Sequence, residues 1–325
     1  MVSSGIFDID SDAQFEQACL RVFRHQATNN STYREFIELL GRSPEQVQEL
    51  RDIPFLPIEF FKTRSVLTSS REVEMTFTSS GTTGSVPSRH LITDLSLYER
   101  SFTKGFELFY GSPEDYTILA LLPSYLERGG SSLVYMAKSL IDSSHSELSG
   151  FYLDELGDLA ERLEELDDSG KTVLLLGVSY ALLDLARIRH FALKNTIVME
   201  TGGMKGRRKE MVREELHDEL KRGFGVSVVH SEYGMTELLS QAYSKGNGLF
   251  HCPPWMNVMI RDAEDPLSYL EPGKSGGVNV IDLANLNSCS FIATQDLGRV
   301  HQSGGFEVMG RFDQSDIRGC NLMVV

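Results

Sequence analysis

The chain has 325 residues, 41% of them hydrophobic and 24% charged, the profile of a soluble globular protein with room for one large domain or two smaller ones. A net charge of -15 without any long Lys/Arg run excludes a nucleic-acid surface, which needs a basic stripe. Cys19, Cys252, Cys289 and Cys320 form no CxxC pair, the opening MVSSGIFDIDSDAQ lacks a basic and apolar leader, and no apolar run approaches the roughly 20 residues that span a bilayer. A cytoplasmic protein with reduced thiols is therefore expected, with neither a zinc knuckle nor a disulfide scaffold.

In chain order, residues 9–50 read as two or three amphipathic helices, with apolar residues at helical spacing in FEQACLRVFRHQ (15–26) and YREFIELLG (33–41), and with Gly41 as a stop. The stretch IPFLPIEFFKTRSV (53–66) has too many breakers for a helix and too much apolar surface for a solvated linker. It either walls a pocket or covers the core. Strand-like runs then follow at YTILALLP (116–123), KTVLLLGVS (171–179), TIVME (196–200) and GVSVVHSEY (225–233). Helical patterns lie between them at LDELGDLAERLEEL (153–166) and GRRKEMVREELHDELKR (206–222). This alternation predicts βαβ units and a largely parallel sheet. After residue 245 the texture changes to short runs with Gly, Pro and Asn, such as GGVNVIDL (276–283) and CSFIATQDLGRV (289–300), which read as antiparallel strands. The expected organisation is an α/β core over 1–245 and a smaller β-rich subdomain over 246–325.

Two stretches carry candidate chemistry. FTSSGTTGSVPSRH (77–90) packs four hydroxyl residues and two glycines into Ser79–Gly84, which collects backbone N–H and hydroxyl donors suited to an oxyanion, or forms an ordinary surface turn. It is not a Walker loop, since Gly84 is followed by Ser85-Val86 without the required lysine, and its glycine spacing does not fit a dinucleotide fingerprint. In HSEYGMTELLSQAY (230–243) a strand-like run ends in Tyr233-Gly234-Met235-Thr236-Glu237. A tyrosine can stack on a base, a threonine can bond a phosphate and a carboxylate can hold Mg²⁺; equally, Thr236 and Glu237 are ordinary first-turn residues of a helix.

Taken together and in this order, Ser79–Gly84 followed by a proline, and Tyr233–Glu237, resemble the phosphate loop and the adenine/magnesium motif of the adenylate-forming enzymes. Thr201-Gly202-Gly203 resembles the adenine-contacting glycine pair of that superfamily, Thr294-Gln295-Asp296 its ribose site, and GRFDQSDIRG (310–319) its hinge segment. Within the superfamily the chain is most similar to the LuxE-type acyl-protein synthetases, the fatty-acid-activating component of bacterial bioluminescence systems, over residues 53–325.

The resemblance implies an adenylate-forming α/β fold, mostly parallel sheets with flanking helices plus a β-rich subdomain, without the usual small C-terminal domain. It also implies ATP and Mg²⁺ as cofactors and a carboxylic acid, here a fatty acid, as substrate. Ser79, Ser80, Gly81, Thr82, Thr83 and Gly84 would cradle the departing pyrophosphate. Gly202, Gly203, Tyr233 and Gly234 would flank adenine, Thr236 would hold the α-phosphate and Glu237 the Mg²⁺. Asp296 and Arg311 would bond the ribose, and Cys320 would take the acyl group as a thioester for an acyl reductase or another acceptor protein.

The chain departs from the superfamily pattern at Ser88-Arg89, where a cation usually follows the proline directly, and at Gln295, where glycine is usual. Without the small domain and its catalytic lysine, Lys205, Arg299 and Arg89 are the candidate cations. A CoA ligase is the nearest rival and a non-catalytic nucleotide- or acyl-binding subunit the second. A serine hydrolase is the third, because Gly177, Ser179 and Ala181 form a G-x-S-x-A arrangement after an apolar run, with His230 and Asp184 available.

Overall fold

The computed structural model describes residues 5–79, 86–123, 129–153, 155–202 and 211–312. The chain begins with α1 (Asp12–Asn29), which buries Phe15, Ala18, Cys19, Val22, Phe23 and Ala27 along one stripe. Asn30 ends it and caps α2 (Ser31–Leu39), its side-chain oxygen accepting from the Tyr33 amide at 3.0 Å. Gly41 adopts φ +67°, as its place at the expected stop requires.

The proline-rich stretch supplies β1 (Leu56–Pro57) and α3 (Phe60–Thr63). A two-stranded hairpin follows, β2 (Met75–Thr78) with β3 (Arg89–Ile92). Its neck is closed by Ser79 N to Ser88 O at 3.1 Å and by Ser88 N to Ser79 Oγ at 2.9 Å. Helix α4 (Leu95–Tyr110) then buries Tyr98, Phe102 and Phe106 at helical spacing.

The large sheet is built from β4 (Thr117–Leu121), β5 (Gly150–Tyr152), β6 (Val173–Val178), β7 (Thr196–Thr201), β8 (His230–Tyr233) and β9 (Ala242–Ser244) in the order β5-β4-β6-β7-β8-β9. All neighbours are parallel except β8 and β9. Helices α5 (Ser132–Ser143), α6 (Leu156–Asp168), α7 (Ser179–Ile188) and α8 (Arg213–Phe224) fall between these strands in the chain. Every residue of β4 and β6 is buried, which is why these strands read as unbroken apolar runs rather than as alternating ones.

Two expected boundaries move. The predicted strand 225–233 starts only at His230, because Gly225 ends α8 at φ +69° with its α-carbon against the Phe191 carbonyl, and the chain must still travel to the sheet. The described part of the predicted helix 206–222 runs from Arg213 to Phe224, and residues 206–210 lie outside the described ones.

Strands β10 (Met256–Arg261), β11 (Ser275–Asp282), β12 (Phe291–Val300) and β13 (Phe306–Arg311) form the antiparallel part of a second sheet. One edge of β12 is shared by two partners. Its first half pairs in parallel with β1, Leu56 against Ile292, and its second half pairs with β13, Asp296 against Arg311. Asp296 therefore sits where the edge passes from one partner to the other.

Candidate active site

The C-terminal ends of β7 and β8 and the middle of β12 place the main candidates together. On β12 the carboxylate of Asp296, 5% exposed, accepts the Tyr233 hydroxyl at 2.9 Å on one oxygen and Arg311 Nε at 3.0 Å on the other. The register of β12 with β13 sets the second contact, and the end of β8 sets the first. Beside the carboxylate, burial pushes the Tyr233 hydroxyl well up, so it stays a donor. Its ring is packed edge-on to Phe306 and tilted against Phe250, with centroids 5.4 and 5.8 Å away.

Beyond Tyr233 the chain turns through Gly234 and Met235 to Thr236 and Glu237. Glu237 is buried, and burial raises its carboxyl pKa although the Ser88 hydroxyl, Arg311 and Lys62 act in the opposite direction. A buried carboxylate so penalised would gain from a neighbouring cation. Among the described residues no three His, Cys, Asp or Glu side chains gather as a metal cage. Glu237 could serve a cation as a single carboxylate ligand, with water and phosphate oxygens able to supply the others.

A β-carbon at Gly234 would lie 2.5 Å from Glu232 Oε1, so any larger residue there must displace that carboxylate. Gly202 takes φ +67°, and its carbonyl accepts Ser179 Oγ at 2.7 Å. Ser179 is buried with its hydroxyl also directed to Glu200, at 3.2 Å, which is the place of a structural serine at a strand-to-helix turn rather than of an exposed nucleophile. His230, the base a hydrolase would need, instead meets the Tyr110 hydroxyl at 3.1 Å.

Of the phosphate-loop candidates, Ser79 closes the hairpin neck, while Ser80, Gly81, Thr82, Thr83 and Gly84 lie outside the described residues. So do Gly203, Lys205 and Cys320. Arg299 is engaged by Glu307 at 2.7 Å, and Arg89 is exposed on β3. Gln295, at the usual glycine position, donates to Glu59 beside α3, and its carbonyl accepts the Phe312 amide at 2.8 Å. Cys19 and Cys289 are buried, Cys252 is half-buried, and desolvation raises the pKa of all three, that of Cys289 to about 12.

Sequence reasoning missed Ser88, Lys62, His90 and Asn285. Ser88 was noted only as an interruption of the usual cation, and neither His90 nor Asn285 belongs to a motif or a periodic pattern.

The family model of LuxE, acyl-protein synthetase, matches residues 6–325. The chain belongs to this family. A long-chain-fatty-acid–luciferin-component ligase from Vibrio harveyi is 26% identical over 322 residues, covering 92% of this chain and 84% of that protein. Among solved structures, a 2-hydroxyisobutyryl-CoA ligase in an open conformation with 2-HIB-AMP and CoA aligns with a TM-score of 0.69 at 13% identity, over 94% of this chain and 72% of that one. ATP-bound MatB from Rhodopseudomonas palustris aligns with a TM-score of 0.56 at 16% identity, over 75% of this chain and 49% of that one. The fold is that of adenylate-forming ligases. As a LuxE-type synthetase the chain is an AMP-forming ligase that uses ATP to activate a carboxylic acid as its adenylate and then transfers the acyl group.

Proposed function

We propose that the acid is a long-chain fatty acid, that Mg²⁺ accompanies ATP, and that the acyl group passes to Cys320 as a thioester before leaving to an acyl reductase or another acceptor protein. The observation that carries the residue assignment is the buried carboxylate of Asp296, held between Tyr233 and Arg311. A buried carboxylate acceptor beside an exposed guanidinium donor suits the two ribose hydroxyls. Tyr233, Gly234, Gly202 and Gly203 would enclose adenine, Thr236 would bond the α-phosphate, and Ser79–Gly84 would cradle the pyrophosphate. Glu237 would hold Mg²⁺, whose charge would offset that of the phosphates.

In the first step a carboxylate oxygen of the acid bonds to the α-phosphorus while the bond from that phosphorus to the bridging oxygen breaks, and pyrophosphate leaves with the electron pair. In the second, a thiolate bonds to the acyl carbon and AMP leaves; the thiol proton goes to solvent. Burial keeps Cys19, Cys252 and Cys289 protonated, which supports Cys320 as the thiolate. Cys320 stands eight positions after Phe312, a covalent reach of at most about 29 Å from the Asp296 neighbourhood. The fatty acid is supported by the Vibrio harveyi relative, a long-chain-fatty-acid–luciferin-component ligase.

Intact-mass spectrometry of wild type and Cys320→Ser, after incubation with Mg-ATP and acids from acetate to palmitate plus phenylacetate, tests the assignment. An acyl adduct that hydroxylamine removes and the serine variant lacks is expected with long-chain acids. Pyrophosphate release without an adduct would assign the acyl group to CoA or to a partner protein instead. ATP binding without pyrophosphate release would leave a binding subunit.

A further inference from the structure

We propose that His90 and Asn285 are a positioning pair that holds the Thr236–Glu237 backbone in register with the strand leaving the hydroxyl-rich loop. The pair deepens the ligase reading above and rests on it. His90 lies on β3, two residues beyond Ser88, and Asn285 ends the short 3-10 turn Leu283–Asn285 between β11 and β12. Both are essentially fully buried. His90 Nδ1 lies 2.8 Å from the Thr236 carbonyl, Asn285 Nδ2 lies 2.7 Å from the Glu237 carbonyl, and His90 Nε2 and Asn285 Oδ1 are 2.9 Å apart.

The proton assignment follows from the ends of this chain. Carbonyl oxygens only accept, so Asn285 must turn its NH₂ to Glu237 and its oxygen to His90, and His90 must carry a proton on Nδ1 for Thr236. Successive carbonyls are thereby both gripped, which fixes the orientation of the peptide bearing the threonine hydroxyl and the glutamate carboxylate. With the single proton of a neutral ring on Nδ1, the approach of Nε2 to Asn285 Oδ1 is acceptor against acceptor and opposes the two end grips; burial lowers the His90 pKa to about 4, while the Thr236 and Asn285 contacts act to raise it. The two grips at the ends orient the pair against that opposition.

Both grips are themselves immobilised. Phe61 packs edge-on to the imidazole at 5.6 Å, and the Asn285 carbonyl accepts Gln26 Nε2 at 3.1 Å. From just before the same strand, Ser88 bonds the Glu237 side chain, so β3 and its lead-in hold Glu237 by its side chain and Thr236 by its carbonyl through His90, while Asn285 holds the Glu237 carbonyl from the turn before β12. Ser79, at the described edge of the stretch assigned to pyrophosphate, and the residues assigned to the α-phosphate and Mg²⁺ thus all bond to β3 or to Ser88 just before it, which fixes their spacing.

The test compares His90→Leu, His90→Asn and His90→Gln in acid-dependent pyrophosphate release and in ATP affinity. Asn places an amide N–H where Nδ1 stood and omits the unprotonated contact; Gln reaches Asn285 instead. Pyrophosphate release in His90→Leu and His90→Gln is expected to fall about 100-fold, the size of loss a misplacement near 1 Å produces. His90→Asn should stay within about tenfold of wild type, and the ATP dissociation constant should change less than about threefold in all three, because Tyr233, Asp296 and Arg311 are untouched. Equal losses in His90→Asn and His90→Gln, or parallel losses of affinity and turnover, would overturn the pair. That comparison decides even if His90→Leu does not fold. Wild-type protein that releases no pyrophosphate with any acid would overturn the ligase reading itself and the pair with it.

Discussion

At the scale of single residues, Asp296 joins three candidate groups that are distant in sequence. Removing it in Asp296→Ala leaves the buried Tyr233 hydroxyl without its acceptor, at about 1–3 kcal/mol, whereas the exposed Arg311 guanidinium can turn to water. ATP affinity should fall roughly 10–100-fold by calorimetry, with a smaller loss in Asp296→Asn, which still accepts from Tyr233. Unchanged affinity in the alanine variant would remove the ribose assignment. Glu232 gives a pH signature. Its pKa is raised to about 7 by burial, against a Thr201 hydrogen bond, with Glu200 adding to the rise. A folded-state pKa above the unfolded value means that the folded protein holds this proton more tightly. The associated stability is complete below about pH 4.5 and is lost as pH rises through 7, on the order of 3 kcal/mol in full. Glu232→Gln should flatten that slope in urea denaturation between pH 5 and 8; an unchanged slope would assign it to other groups. Motif residues such as Tyr233, Glu237, Asp296 and Arg311 were legible in the sequence because short consecutive patterns surround them. His90 and Asn285 were not, since nothing local marks a histidine whose partners stand 146 and 195 positions away.

At the scale of elements, the junction on β12 depends on close backbone approach. The β12–β13 register shifts between Leu297 and Gly298, and a β-carbon at Gly298 would lie 2.4 Å from the Glu307 carbonyl and 2.7 Å from Val278 Cγ2. Gly298→Val must push β13 or β11 away. We expect a loss of about 1–3 kcal/mol in denaturant stability, together with weaker ATP binding, because Arg311 lies on the displaced strand. Retention of both would mean that the sheet absorbs the side chain elsewhere. The strands β11 and β12 were legible as short runs bounded by turn residues. The two-residue β1 was not, because a strand of Leu56-Pro57 has no periodicity to read and exists only by pairing with Ile292 and Ala293.

At the scale of the whole molecule, the first helix fastens the second sheet. Gln26, fully buried on α1, turns its two amide protons toward the carbonyls of Asn285 and Leu286 and the Ser290 hydroxyl, which share them, and accepts the Ser290 amide at 2.9 Å. Gln26→Leu keeps most of the volume but strands several buried polar groups. It should cost about 3 kcal/mol or more, visible as a lower Tm, and should also impair turnover by loosening Asn285. A Tm within about 1 °C of wild type would show that the tie is dispensable. The sequence by itself determined the class of fold and the class of chemistry: strand and helix periodicities are local, and the glycine, hydroxyl and aromatic motifs are contiguous. The tertiary structure alone decided which side chains meet. Tyr233 and Asp296 are 63 residues apart, and His90 and Asn285 belong to different elements. Hydrogen bonds act over about 3 Å, a separation that only the packed sheets create.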